Sequence, residues 1–417
     1  MSFITTASRM WLTKSFTPFT FTSGGEDFLD YENLENMGLY VHIPFCKKIC
    51  SFCPYCKQIF DSDLMNRYID ALKMEIKKVG SQYSGRKKVS SLYFGGGTPA
   101  LAADRIGEII SELEKHFEIS DGIGLELHPD NVTCENLLKL KSAGVTKISI
   151  GIQSFNKKYL SMLGRDNTDY EKMFSALKEV PFETVSMDFI FALPDQTLDD
   201  LKSDISMAFE NGANHIAIYP FIDFSFAKNK ISPMTKKQKH KLLDDITDWC
   251  NSKNLRRDSI WTFSNDSTAK YSSMTRETFL GFGCSATTLL KDEFKVNTFD
   301  VGEYIKRIDQ EKLPTSLTTK FSKRKRMVYW LFWTLYTTRL DPADFKKFFG
   351  KALWRMYGFE FFLARLVGFM KKENGIYRLT KKGCFYYHHY ENFYTLSYID
   401  KMWGLMRKEA FPKGMKL

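Results

Sequence analysis

The chain has 417 residues, which at roughly 100–200 residues per domain allows two or three domains and a sizeable core. With 43% hydrophobic and 26% charged residues, it holds enough apolar material for a packed interior, which excludes wholesale disorder and collagen-like or mucin-like classes. Sixty Lys plus Arg against forty-nine Asp plus Glu leave a net charge of +11, an excess that suits nucleic acid, an anionic membrane surface or a polyanionic small molecule without choosing among them.

From the N-terminus, residues 1–36 read as an arm, whose opening (MSFITTASRMWLTKSFTPF) is basic but lacks the continuous apolar core of a secretory signal. Residues 37–225 then alternate strands and helices. Apolar, β-branched runs at Leu39–Phe45, Ser91–Phe94, Gly124–His128, Lys147–Gln153, Ser186–Leu193 and His215–Phe221 predict buried strands. Helical periodicity lies between them at Leu64–Val79, Ala103–Phe117, Glu135–Ala143, Tyr170–Val180 and Leu198–Asn211. This rhythm predicts an α/β fold with parallel strands and helical crossovers, a partial (β/α)6 barrel with a wide mouth. Residues 226–320 lose the rhythm and read as a barrel extension, with a polar linker over Lys228–Lys239 and a Gly281-Phe282-Gly283 turn. Residues 321–417 read as a smaller, mainly helical C-terminal domain rich in aromatics. The basic cluster Lys320–Arg326 reads as a solvated helix start. The aromatic runs Tyr329–Trp333 and Phe385–Tyr390 read as packed core that could also cover a flat ligand. The longest apolar run, Met327–Tyr336, is too short for a bilayer span, which needs about twenty residues. A cytoplasmic protein without a transmembrane segment is expected.

Four of the eight cysteines, Cys46, Cys50, Cys53 and Cys56, crowd together after the first strand, as metal-binding thiols do in a reducing compartment. The first three form C-x3-C-x2-C. Three such thiolates hold three irons of a [4Fe–4S] cluster and leave the fourth iron to a small molecule. The four cysteines could instead close a tetrahedral zinc site, although such sites normally pair two C-x2-C knuckles across a longer loop. The other special residues fall at strand ends, where α/β barrels gather their chemistry: Gly95-Gly96-Gly97-Thr98-Pro99, Glu126 and His128, Gln153, and Asp188. Glycines without Cβ allow backbone groups to approach a ligand. Glu126, on an otherwise apolar strand, needs a cationic or hydrogen-bonding partner.

The segment from Tyr40 to Cys53 (YVHIPFCKKICSFC) resembles the opening motif of the radical S-adenosylmethionine (SAM) enzymes. More narrowly, it resembles the family of oxygen-independent coproporphyrinogen III oxidase, with its haem-chaperone relatives and two-SAM methyltransferases and cyclopropanases. The resemblance continues in order through Phe94–Pro99, Glu126, Ser149–Phe155, Leu163–Arg165, Asp188, Leu193–Thr197 and Gly281–Gly283, covering roughly residues 38–290, with a weaker echo at Leu379–Gly383. It implies a catalytic [4Fe–4S] cluster on Cys46, Cys50 and Cys53, and SAM on its open iron, cleaved to a 5′-deoxyadenosyl radical. It also implies an electron donor such as flavodoxin or ferredoxin, and a small-molecule substrate, porphyrinoid or otherwise bulky and hydrophobic, with no nucleic-acid partner. By the same resemblance, Tyr40, Phe52, Gly96, Gly97, Thr98 and Glu126 serve the first SAM. Gln153, Arg165 and Asp188 serve a second SAM, with Ile222 and Thr287 as lesser contacts. An Arg165–Asp188 salt bridge is the structural alternative for that pair, and His42 reads as a satisfied core residue. Cys56 is not counted as a ligand.

Two departures matter. The Arg-x-His of the oxidase is here Arg165-Asp166-Asn167, and the chaperone branch's His-Asn…Tyr-Trp segment is replaced by Phe263–Tyr271, which has no His. Haem handling of the chaperone type is therefore disfavoured. The expected function is radical chemistry on a porphyrinoid, by coproporphyrinogen-type decarboxylation or haem ring opening. A two-SAM methyltransferase or cyclopropanase is the alternative, and a non-catalytic haem-binding chaperone is the alternative of another class.

Overall fold

A computed structural model describes residues 3–165, 168–227, 231–265 and 277–417. Six parallel strands form where the apolar runs predict them: β1 (Met37–Ile43), β2 (Leu92–Gly96), β3 (Ile123–Leu127), β4 (Lys147–Gln153), β5 (Thr184–Phe191) and β6 (His215–Pro220). Each pairs in parallel with its sequence neighbour. Both faces of β1 are buried, as its near-continuous apolar sequence requires. The crossover helices are amphipathic. Helix α1 (Ser62–Gly80) turns Met65, Tyr68, Ile69, Leu72, Ile76 and Val79 onto the sheet and is capped by Asp61, which accepts from the Leu64 N–H at 2.8 Å. Helices α2 (Ala103–Glu114), α3 (Cys134–Ser142), α4 (Tyr170–Glu179) and α5 (Leu198–Glu210) repeat the pattern. The chain thus folds as a partial (β/α)6 barrel with an extension and a mainly helical C-terminal region.

The sheet runs further than the sequence indicates. A seventh parallel strand, β7 (Thr278–Phe282), joins the open side of β1, pairing Gly281 with Tyr40. Antiparallel strands β8 (Thr287–Leu289), β9 (Glu293–Asn297) and β10 (Thr315–Lys320) continue from it. Within the N-terminal arm, Thr20–Ser23 pairs with β10 on one side and with Gly414–Lys416 on the other. Of the expected linker Lys228–Lys239, the described end is helical. Helix α6 (Lys236–Ser252) begins there, and Lys239 is buried with its ammonium on the Phe221 carbonyl at 2.8 Å.

The C-terminal region packs α7 (Lys323–Tyr336), α8 (Leu353–Leu366) and α9 (Lys381–Tyr394) around a three-stranded sheet. A π-helical turn, Thr395–Ile399, follows α9. The basic cluster that opens α7 is not wholly solvated. Arg326 is buried and donates to the backbone carbonyls of Lys291 and Glu277, tying α7 to the segments that flank β7 and β8.

Candidate active site at the barrel mouth

A cavity of about 1260 Å³ fills the barrel interior, reaches the carboxyl ends of its strands and is lined on the far side by α7 and α9. That exceeds the roughly 300–1,000 Å³ usual for small-molecule sites. Cys46, Cys50, Cys53, Tyr40, Phe52, Gly96, Gly97, Thr98, Glu126, Gln153, Arg165, Asp188, Ile222 and Thr287 all line it.

The cysteine loop leaves β1 and returns on itself. Phe45 and Cys46 pair with Gln58 and Ile59, and the Gln58 and Phe60 N–H groups donate to the carbonyls of Pro44 and Cys46 at 2.7 and 2.9 Å. The loop is thereby pinned at its neck while its three thiols face the cavity. Burial raises the Cys46 thiol to about 11, and its neighbours Cys53 and Cys50 push it the same way. Burial also raises Cys53, against the opposing charge of Lys57. A metal lowers the pKa of a thiol that it binds, so such thiols lose their protons on coordination. Among the described residues no three His, Cys, Asp or Glu side chains lie close enough to hold a single ion. Three thiols in the spacing C-x3-C-x2-C are a donor set that would fit an iron–sulfur cluster with one thiolate per iron.

Two cations that the sequence does not mark steady this loop. Lys57 donates to the carbonyls of Cys50, at 3.3 Å, and Cys53. Arg407, after the last helix, donates to the Pro54 carbonyl and lies over Phe226 and Phe299. Cys56 turns the other way. Its sulfur lies 3.7 Å from Cys284 and donates to the Phe299 carbonyl at 3.2 Å. His42 is satisfied as a core residue, with its ring nitrogens 3.0 Å from the Tyr40 hydroxyl and 3.1 Å from the Cys56 carbonyl.

The glycine run behaves differently from the expectation that its amides meet a ligand. The Gly96 N–H donates to Glu126 at 3.1 Å, Gly97 to the Ile43 carbonyl and Thr98 to the Phe45 carbonyl, both at 2.8 Å. The absence of side chains instead serves close packing, since a Cβ on Gly97 would stand 2.6 Å from the Phe45 carbonyl oxygen. Gly96 adopts φ +124°, a value that favours glycine. Thr98 reaches Cys46, its hydroxyl 3.9 Å from the sulfur.

Glu126 and Asp188 face the same space. Burial raises the Glu126 carboxyl to about 7, with the Asp188 charge adding, while the Gly96 N–H and the Tyr93 hydroxyl oppose. Burial raises Asp188 to about 6 against hydroxyl donors, Ser149 at 3.0 and 2.9 Å and Ser186 at 3.1 Å. Ser186 also meets His215 Nδ1 at 2.9 Å. Ser149, Ser186 and His215 were not singled out from the sequence. The period-two step from Asp188 to Ser186, both facing inward, is the signal that would have found the serine.

A bulge between β4 and β5 places Gln153 at φ +73°, strain of the kind found at ligand sites. Its amide and the Arg165 guanidinium converge on Gly151, whose carbonyl Arg165 engages. Arg165 also lies 5.9 Å over the Phe52 ring, and its buried Nε has no partner among the described residues. No Arg165–Asp188 ion pair forms among them. Asp166, Asn167 and positions 266–271 of the two family departures lie outside the described residues.

Matches to known proteins bear on this geometry. The Radical SAM superfamily model matches residues 40–208. The heme chaperone HemW of Bacillus subtilis (strain 168) is 25% identical over 331 residues, 75% of this chain and 87% of that protein. The oxygen-independent coproporphyrinogen III oxidase of Escherichia coli (strain K12) is 26% identical over 304 residues, 66% of each chain. The solved structure of E. coli coproporphyrinogen III oxidase, HemN, superposes with a TM-score of 0.76 at 22% identity, over 93% of this chain and 98% of that one. The chain is similar to HemN-like radical SAM proteins, in sequence to the chaperones and oxidases and in fold to HemN. The Radical SAM superfamily that residues 40–208 match implies a [4Fe–4S] cluster and SAM. The HemN-like relatives divide between chaperones and oxidases, so similarity to them does not choose an activity. No helix among the described residues is long and apolar enough to cross a membrane.

Proposed function

We propose that this protein cleaves SAM reductively at a [4Fe–4S] cluster held by Cys46, Cys50 and Cys53 and turns the 5′-deoxyadenosyl radical on a large porphyrinoid, by coproporphyrinogen-type decarboxylation or haem ring opening. The observation that carries this reading is that the three thiols share one large cavity with a wall of aromatic side chains, including Tyr329, Phe332, Trp333 and Tyr394. A flat ligand finds broad stacking surface there. The chemistry supplied by a bound cluster is a single electron, drawn from a donor such as flavodoxin or ferredoxin.

The chain's own residues do the positioning. Glu126, whose carboxyl sits near neutrality, becomes a fixed anion when an ammonium group such as that of SAM approaches it. Thr98 and the glycine run set the floor beside Cys46, and Tyr40 stands over them, its hydroxyl 2.9 Å from where a Gly95 Cβ would lie. Arg165 keeps a buried donor for a carboxylate, while Asp188 and Gln153 offer acceptors nearby. That group supports a second SAM, and with it the alternative of a methyltransferase or cyclopropanase. Arg407, bridging from the C-terminal region to Pro54, helps exclude water from the cysteine loop. The names of the chaperone relatives support a second reading, a haem carrier.

Anaerobic reconstitution followed by mass spectrometry separates these. Carbon dioxide with 5′-deoxyadenosine is the expected product set for decarboxylation, S-adenosylhomocysteine for methyl transfer, and tight haem binding without either for a carrier. Cys46→Ala should bring 5′-deoxyadenosine to background. No 5′-deoxyadenosine above that control defeats the enzymatic reading.

A further inference from the structure

The helical wall of the cavity carries one feature that the cluster and SAM do not explain. Along α9 and the π-helical turn, Tyr387, Tyr390, Tyr394 and Tyr398 face the cavity at helical spacing. Within this stripe stands Glu391, whose residue is only 8% exposed. Its Oε2 is buried without a hydrogen-bond partner, and no ion pair reaches the side chain among the described residues. Burial alone drives its carboxyl well above the ordinary range. An isolated carboxyl in an aromatic wall is costly and contributes nothing to the packing around it. By contrast, Glu75, also buried, takes the Gly283 N–H at 2.7 Å, the Tyr304 hydroxyl at 2.6 Å and the Asn297 amide at 3.2 Å.

A group kept at such expense and facing a large cavity is placed to meet a ligand's donors. The surrounding rings select a broad, mostly apolar body, and a lone carboxylate among them selects N–H groups within that body rather than acids at its rim. We propose that Glu391 is the substrate-anchoring carboxylate of this cavity, accepting hydrogen bonds from the inner ring N–H groups of a metal-free tetrapyrrole. This rests on the porphyrinoid reading above and narrows it, because a tetrapyrrole whose nitrogens hold a metal has no inner N–H to give.

The test uses the full chain under anaerobic conditions and two probes with the same rim, coproporphyrinogen III and iron coproporphyrin III, in equilibrium titrations followed by tryptophan fluorescence. Glu391→Leu should weaken coproporphyrinogen binding by about tenfold or more and Glu391→Gln, which keeps one acceptor oxygen, by less, while both leave the iron chelate within about twofold. Neither variant should melt below the wild type when empty, since a residue held for a ligand costs stability in its absence. Equal weakening of both probes, an unchanged affinity for both, or a lowered melting temperature would overturn the assignment. Wild-type protein that binds neither probe would overturn the porphyrinoid reading and this one together, whereas binding of both without discrimination by the variants would remove only Glu391.

Discussion

The barrel and the helical wall treat buried acids in opposite ways. In the barrel, Asp188 is held by Ser149 and Ser186, Glu126 by the Gly96 N–H, and Asp204 by the Phe155 N–H at 2.9 Å and the Ser154 hydroxyl at 2.8 Å. On the helical wall Glu391 stands alone among rings. Donors already in place fix a side chain before any ligand arrives, and they arrange the barrel for a small, constant cofactor. An acid without donors instead leaves its partner to be brought from outside. The same cavity thus joins a rigid half to a half completed by its ligand.

Three substitutions sharpen this contrast. The largest effect is expected at Gly97, where the barrel has no room: Gly97→Ala sets a Cβ 2.6 Å from the Phe45 carbonyl oxygen and 2.8 Å from Pro44 backbone atoms. Backbone cannot swing aside as a side chain does, so thermal unfolding should show a loss of about 3 kcal/mol. A melting temperature equal to the wild type would mean that the loop neck is softer than its pairing implies.

Glu126→Gln tests the pre-arranged acid. Its carboxyl lies at about 7 in the folded chain against 4.5 ordinarily, so the native state holds the proton that the unfolded state has released. Stability must therefore fall as pH rises from about 4.5 to 7 and remain lowered above that. Without added SAM, Glu126→Gln should be the more stable form at pH 8 by roughly 2–3 kcal/mol, the gap closing toward pH 4. Parallel stability curves for the two proteins would show that Glu126 does not titrate in this range.

The smallest effect concerns the seam between the halves. Arg407→Ala removes both the donor to Pro54 and a charge beside Cys53. Cluster loss in air, followed by visible absorption, should accelerate by about tenfold while the fold persists. Unchanged bleaching would place the oxygen barrier elsewhere.

The two halves also differ in what their sequence discloses. Strands β1 to β6 fall within a few residues of their apolar runs because a doubly buried strand needs an unbroken stretch of Val, Ile, Leu and Phe. The expected site residues mark themselves by interrupting those stretches with polar or glycine positions. The pairing of Thr20–Ser23 with β10 and with Gly414–Lys416 leaves no local trace, since each partner is remote in the chain. Arg326 shows why a charge run misleads: one of its members turns inward to cap carbonyls from another segment. In α9, the aromatic run conceals that one helical stripe faces a void, and Glu391 beside Tyr390 is the only hint.

The place of β1 in the sheet has a bearing on how the protein is made. The strand that leads into the cysteine loop lies between β2 and β7, and β7 is synthesised long after the cysteines. On the ribosome the edge of β1 beside the cysteine loop therefore stays unfinished until its distant neighbour arrives. Iron delivery that comes too early meets a half-formed cradle, and oxidants have their best opportunity during that interval.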